Sequence, residues 1–308
     1  MKLVFCGTPQ FAVPSLERLA QTGFDVKLVL CQPDRPQGRG MQLTEPPVKQ
    51  TAQRLHLPVI QPEKIRNNEE LRAQLTQINP DAIIVVAYGR IIPKWMLDLP
   101  RYGNINVHAS LLPKYRGAAP IQWAIANGES VTGVTTMRID EGLDTGDMLL
   151  RRELEIRADD TAFTLAPRLS EIGADLLVET LKRLKQGMLE PVLQDDAMAT
   201  QAPILKKEDG KIDFHRTAQE IYNRLRGFQP WPGAYTHFRG KNLKILAAQP
   251  ILHPIQAGEM QAFPDKLLVG CGQNSSLELI QLQPEGKKPM TARDFISGYR
   301  PAPGERLG

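Results

Sequence analysis

Residues 81–87, Asp-Ala-Ile-Ile-Val-Val-Ala, limit what this chain can fold into more than any other stretch. After the aspartate every side chain is apolar, so the segment has no face to turn toward water. A strand of that kind lies inside a parallel sheet covered by helices on both sides. The start of the chain supplies the matching pattern. Residues 3–6 read as a buried strand, Gly7-Thr8-Pro9 as a turn, and residues 11–22 as a helix with Leu16, Leu19 and Ala20 inward and Gly23 as its stop. Residues 26–31 give a second strand, and strand, glycine turn, helix, strand opens a doubly wound α/β sheet. Only Gly7 stands where Gly-x-Gly-x-x-Gly would be needed, which argues against a dinucleotide-dependent oxidoreductase.

The rest of the first half extends this α/β pattern. Helices are expected over 47–55 and over 68–78, the latter with Leu71, Leu75 and Ile78 inward, and a short strand over 57–60 lies between them. A helix over 118–127 precedes strands over 133–138 and 148–152. Residues 161–185 form the longest helical pattern, with Leu165, Leu169, Ile172, Leu176 and Leu184 on one face, Pro167 as a bend and Gly187 as its stop. Residues 187–202 have no steady period and read as an extended surface linker. After it come a helix over 217–225 and strands over 234–238, 243–248, 266–270 and 276–283, with turn residues between them. That pattern fits a small β-barrel of the oligonucleotide-binding type. A last helix from Met290 is expected to end at Gly298.

The 308 residues, 42% apolar and 23% charged, suit a globular chain of two domains. The boundaries expected are a catalytic domain over 1–187, a linker over 188–205 and an OB-like domain over 206–308. A net charge of +4 is compatible with a nucleic-acid partner and does not demand one. Between Lys206 and Lys244 nine basic residues face four acidic ones, a local excess of five. Cys6, Cys31 and Cys271 have no metal-ligand spacing and the five histidines are scattered, so no metal is implied. No signal peptide or membrane-length apolar run is present, and a reduced, cytoplasmic setting is expected.

Chemistry concentrates in residues 103–117, Gly-Asn-Ile-Asn-Val-His-Ala-Ser-Leu-Leu-Pro-Lys-Tyr-Arg-Gly. Ile105 and Val107 alternate with Asn104, Asn106 and His108, so a short strand puts the three polar groups on one face. Asn106 and His108 fall at its C-terminal end, where open α/β sheets bind ligands. A carboxamide beside an imidazole can stabilise an oxyanion and handle a proton, as acyl transfer requires. Taken alone, the pair reads more readily as a His108 that caps a turn and an Asn106 that satisfies a loop backbone.

The residues around the pair add specificity. Asn-Val-His-Ala-Ser-Leu-Leu-Pro, then Arg-Gly-Ala-Ala-Pro-Ile from Arg116 and Gly-Leu-Asp-Thr-Gly-Asp from Gly142, resemble the formyltransferases that use 10-formyltetrahydrofolate, nearest to the branch acting on initiator methionyl-tRNA. The likeness begins at Phe5-Cys6-Gly7-Thr8-Pro9 and covers nearly the whole chain. It implies Asn106, His108 and Asp144 as the catalytic trio, with Asp144 orienting the histidine. It implies folate contacts at Tyr88, Gly89, Arg90, Ile91 and Ile92 and at Ser110, Leu111, Leu112 and Pro113. It implies that residues 32–47, an exposed loop rich in proline and glycine, enter the tRNA acceptor end. There Arg39 and Arg35 are the candidate contacts, while Met41 and Gln42 stand where many family members carry lysines. Lys206 and Lys207 match a basic junction that touches tRNA. The donor implied is 10-formyltetrahydrofolate, the partner is initiator Met-tRNA, and the enzyme is expected to be a monomer. The same trio also serves small-amine formyltransferases and formyltetrahydrofolate hydrolases, which stay open at this point, as does a non-catalytic RNA-binding protein on an old enzyme scaffold.

Overall fold

The computed structural model describes residues 1–37 and 42–308. In chain order the first elements are β1 (Lys2–Gly7), α1 (Val13–Gln21), β2 (Asp25–Leu30), β3 (Arg35–Gln37), β4 (Gln42–Thr44), α2 (Pro47–Arg54), β5 (Val59–Ile60), α3 (Glu69–Ile78), β6 (Ala82–Val86), α4 (Lys94–Leu97) and β7 (Asn104–His108). Then follow α5 (Pro120–Ala126), β8 (Val131–Arg138), β9 (Met148–Glu155), α6 (Ala162–Lys185) and α7 (Ala218–Gly227). The last are β10 (Ala234–Phe238), β11 (Lys241–Ile251), β12 (Met260–Ala262), β13 (Leu267–Gly270), β14 (Ser276–Pro284), β15 (Met290–Thr291) and α8 (Ala292–Tyr299). The chain divides into two compact units. One holds Met1–Gly117, Val131–Glu155 and Ala166–Ala202, and the other Ala118–Ser130, Ile156–Leu165 and Pro203–Gly308.

The first unit carries a seven-stranded sheet in the order β5-β2-β1-β6-β7-β8-β9. The strands β5, β2, β1, β6 and β7 run parallel, and β8 and β9 add as antiparallel neighbours. All five residues of β6 are buried, as its unbroken apolar run requires. Local signals start and stop the helices. Asn68 accepts the Leu71 N–H at 2.9 Å as the α3 cap, and Asn79, at φ 49°, ends that helix. The long helix α6 runs unbroken through Pro167. On β7, Asn104 is buried and donates to the Met96 and Leu97 carbonyls at the end of α4 (2.9 and 3.1 Å), so it is structural.

The strand β8 starts two residues before the expected Gly133. That glycine continues the strand because a Cβ there would sit 2.2 Å from the Arg152 carbonyl oxygen and 2.5 Å from the Leu111 side chain. A missing side chain is what lets Leu111 fold across the sheet. Residues 32–47 are not wholly loop: β3 and β4 pair antiparallel within them, Arg35 opposite Thr44.

The second unit is an antiparallel sheet in the order β10-β11-β14-β13-β12, with β15 on β14. Its last residues bridge the two edges. Met260 N–H donates to the Glu305 carbonyl (2.8 Å), Leu307 N–H to Gly258 (2.8 Å), and Gly308 N–H to His237 on β10 (3.1 Å). The result is the small barrel-like domain the strand pattern suggests. Phe295 fills its core, stacked on Tyr299 and edge-on to Phe238. The helix α8 does not stop at Gly298. It continues to Tyr299 and ends on Arg300 at φ 46°, whose N–H donates to the Ile296 carbonyl.

A capping box opens α7. The Thr217 hydroxyl accepts from Glu220 N–H (3.2 Å), and the Glu220 carboxylate accepts from Thr217 N–H and hydroxyl (both 2.8 Å). The Thr217 N–H, and after it the hydroxyl, hold the Glu220 carboxyl below its usual range. A depressed carboxyl contributes stability above its unfolded pKa and loses it as pH falls through the folded value. Thr217→Ala is expected to cost about 1 kcal/mol at neutral pH in urea unfolding, with the deficit shrinking as Glu220 is protonated. An unchanged midpoint at neutral pH would refute the capping account.

Candidate active site

The C-terminal ends of β1, β2, β6 and β7 meet where the strand order reverses beside β1. A set of polar groups ties these ends together. The Thr8 hydroxyl donates to the Tyr88 carbonyl (3.1 Å), and Gln32 Nε2 donates to the Tyr88 and Gly89 carbonyls (3.1 and 3.2 Å). Gln32 Oε1 accepts from Arg90 Nε (3.1 Å). The backbone of 87–89 is thereby held in a tight reversal, with Ala87 at φ 46° and Gly89 at φ 77°. The Tyr88 side chain points away from this rim into the core, 1% exposed, its hydroxyl without a partner among the described residues. At Tyr88 a ligand on the rim would meet backbone. Ile91 is 91% exposed beside it, whereas Ile92 is buried.

Asn106 and His108 stand on the next strand, with Asn106 opposite Val85 of β6 and Met137 of β8. His108 is buried. Its Nε2 lies 2.9 Å from the Tyr115 carbonyl, which can only accept, so that nitrogen carries the hydrogen. Its Nδ1 lies 3.7 Å from Asp144 Oδ2, an ion-pair distance longer than a hydrogen bond. Asp144 arrives from the β8–β9 loop at φ 53° and also accepts the Gly117 N–H (2.8 Å). Tyr115 sits at φ 62°. Two non-glycine residues in the left-handed region therefore flank one imidazole, each costing of order 1 kcal/mol or more. By contrast the half-buried Asn106 carboxamide makes no side-chain hydrogen bond among the described residues.

After His108 the chain turns under the control of Thr135. Its hydroxyl donates to the Ser110 carbonyl (2.7 Å) and accepts from Leu112 N–H (3.1 Å). The Ser110 hydroxyl donates to the Lys114 carbonyl (2.6 Å), and the Leu112–Pro113 bond is cis. Residues 88–92 and 110–113 thus follow the neighbouring strands β6 and β7, the second of which carries Asn106. No cysteine is an open nucleophile: all three are buried, and burial pushes the Cys31 thiol up to about 11 and Cys271 up to about 12.

The candidates for tRNA contact are spread out. Arg35 is exposed on β3, next to an Asp34 carboxyl held low by hydrogen bonds from Lys49 and Gln61. Arg39 lies outside the described residues. Lys206 and Lys207 are exposed near the start of the last segment of the second unit, Pro203–Gly308. The local basic excess is partly spent within that unit. Arg239 is paired with Glu305 through Nε and Nη2, Arg224 lies 4.9 Å above the Phe228 ring, and Arg226 is buried, donating to the Asp160 carbonyl. Thr8, Gln32, Tyr115 and Thr135 went unnoticed in the sequence. For Thr8 and Gln32 the available signal was a polar residue immediately after a buried strand.

Comparison with known proteins agrees with this arrangement. The family described as formyl transferase matches residues 1–181, and the formyl transferase C-terminal domain matches residues 204–300. A methionyl-tRNA formyltransferase of Koribacter versatilis (strain Ellin345) is 66% identical over 308 residues, covering 100% of this chain and 99% of its own. That of Acidobacterium capsulatum is 63% identical over 311 residues, covering 100% of both. Among solved structures, an N-formyltransferase from Helicobacter canadensis in complex with folinic acid and dTDP-3-aminofucose shares the fold, with a TM-score of 0.69 at 22% identity over 91% of this chain and 98% of that one. A doubly wound sheet, a barrel-like second unit and family matches over both halves lead to one conclusion: this chain belongs to the formyltransferase family.

Proposed function

We infer that the chain transfers the formyl group of 10-formyltetrahydrofolate to the amine of the methionine on initiator methionyl-tRNA. The observation that carries the chemistry is the uncommitted Asn106 carboxamide beside a His108 held from both sides, 2.9 Å from a carbonyl and 3.7 Å from a carboxylate. The substrate class follows from relatives 66% and 63% identical over the full chain.

The methionine amine attacks the formyl carbon directly. Asn106 Nδ2 donates to the oxygen that becomes negative as the tetrahedral intermediate forms. His108 Nδ1, the ring nitrogen not committed to the backbone, takes up positive charge as the amine loses its proton, and Asp144 balances that charge. The bond from carbon to the folate nitrogen then breaks, tetrahydrofolate leaves with the proton, and the formyl group stays on the amine. Residues 88–92 and 110–113 provide the folate rim. On this reading residues 1–187 hold the chemistry and 188–205 link them to a tRNA-binding barrel over 206–308. Arg35 and Arg39 engage the acceptor end, and Lys206 and Lys207 neutralise phosphates. The enzyme works as a monomer in the cytoplasm.

The test of the partner is formylation of initiator against elongator Met-tRNA. Initiator-selective transfer is expected, with selectivity reduced in Arg39→Ala. Equal rates on both tRNAs and on free methionine would overturn the tRNA assignment.

A further inference from the structure

The segment that follows α6 does more than connect. Val192 pairs with Met148 at the start of β9, through two hydrogen bonds of 2.8 Å. Further on, Thr200 accepts the Tyr115 N–H at its hydroxyl and the Arg116 N–H at its carbonyl (both 2.9 Å), and Ala202 N–H donates back to the Arg116 carbonyl at 2.7 Å. Gly117, at φ 121°, makes that approach possible, since a Cβ there would lie 2.6 Å from the Ala202 oxygen. The strap is anchored at one end to the first residue of β9, just after the Asp144 loop, and at the other to the segment that follows His108.

Between these anchors Gln194 uses its whole carboxamide. Nε2 donates to the Asp144 and Gly146 carbonyls (2.8 and 2.7 Å), and Oε1 accepts from Arg116 Nε (3.0 Å). Arg116, whose side chain is 6% exposed, spends a second donor on Asp196 (2.8 Å). Two carbonyls on one side and a guanidinium on the other admit a single orientation of the amide.

We propose that Gln194 is a positioning residue for formyl transfer: it fixes the Asp144 loop from the strap and thereby aims the Asp144 carboxylate at His108. The proposal rests on the formyl-transfer reading. Asp144 sits in the left-handed region at φ 53°, and its backbone carbonyl, not its carboxylate, is what Gln194 grips. Without that grip the carboxylate can leave Nδ1, and the charge arising on the imidazole loses its counterpart. Gln194 reaches no reacting atom itself.

Gln194→Glu separates the two halves of the contact. A carboxylate keeps the bond from Arg116 and loses both donations to the catalytic loop. Gln194→Ala loses everything. In the full-length enzyme, with 10-formyltetrahydrofolate and initiator Met-tRNA, both variants are expected to lower kcat at least about 10-fold in the folded enzyme with KM for the tRNA little changed, while Gln194→Ala also lowers the melting temperature because Arg116 and two carbonyls lose a partner. Added to Asp144→Asn, Gln194→Ala should cost nothing further, because the residue it positions no longer carries charge. Unchanged kcat in both variants, a loss confined to KM, or a loss that multiplies with that of Asp144→Asn would overturn the proposal. A wild-type enzyme that fails to formylate Met-tRNA strikes the proposed function instead, so the two failures are distinguishable.

Discussion

Replacing Asn106 by alanine is expected to lower kcat for formyl transfer about 10²–10³-fold, the usual effect of removing one donor aimed at a developing oxyanion. The fold should survive. Asn106 is half-buried at the end of β7 and makes no side-chain hydrogen bond among the described residues, so truncation leaves no buried partner unpaired. KM for Met-tRNA should move little, because the role assigned to Asn106 is to the developing oxyanion and not to the bound tRNA. Asn106→Asp is expected to be no better: it keeps the shape, lacks the donor and adds negative charge where more develops. Asn104 is the internal control. It bonds the last carbonyls of α4 at 2.9 and 3.1 Å, so Asn104→Ala should cost about 1–3 kcal/mol of stability and leave the chemical step of folded enzyme intact. Steady-state kinetics and urea unfolding on both variants check the contrast. Equal kinetic loss in the two would remove the case for Asn106 as the oxyanion donor.

The second large effect is expected at Asp144. Asp144→Asn keeps an oxygen able to accept the Gly117 N–H, now met at 2.8 Å, and removes the charge that faces His108 Nδ1 at 3.7 Å. A fall in kcat of about 10² or more follows, within the range for losing a general acid–base contribution, at nearly native stability. Asp144→Ala should lose activity to a similar degree and stability as well, since Gly117 N–H is then stranded. The measurements are kcat and melting temperature for the two variants. An Asp144→Asn enzyme with native kcat would mean that the carboxylate serves only to cap the turn at Gly117.

How much of this was legible in the chain depends on how local each signal is. The β6 run needs no distant neighbour to declare itself, because its short length, its isoleucines and valines, and the Pro80 and Gly89 near its ends favour a doubly covered strand over a buried helix. The placing of Asn106 and His108 two apart on one strand was as legible, since it follows from strand alternation, whereas the pair alone did not declare a role. Signals that depended on distant partners were lost. Gly133 looked like the start of a strand, yet it lies inside β8 because Leu111 crosses there. The edge strands β12 and β15 are three and two residues long, too short for alternation to register. Gly298 looked like a helix stop, but Arg300 takes the left-handed turn that ends α8. Counting charge from Lys206 to Lys244 overstated the free basic surface, because Arg224, Arg226 and Arg239 are held within their own unit. Gln194, in a segment without periodicity, is tied to a backbone fifty positions away, and nothing adjacent to it in the sequence announces that bond.

The most direct test of the central claim follows the formyl carbon in a single turnover. Enzyme in excess over labelled 10-formyltetrahydrofolate is mixed with charged initiator Met-tRNA, quenched, and the label recovered as formylmethionyl-tRNA or as formate. Label appearing on the methionine amine in step with tetrahydrofolate release, and little donor consumed when tRNA is absent, is the predicted result. Release of the label as formate at a rate indifferent to tRNA would contradict the account and make the same trio that of a hydrolase.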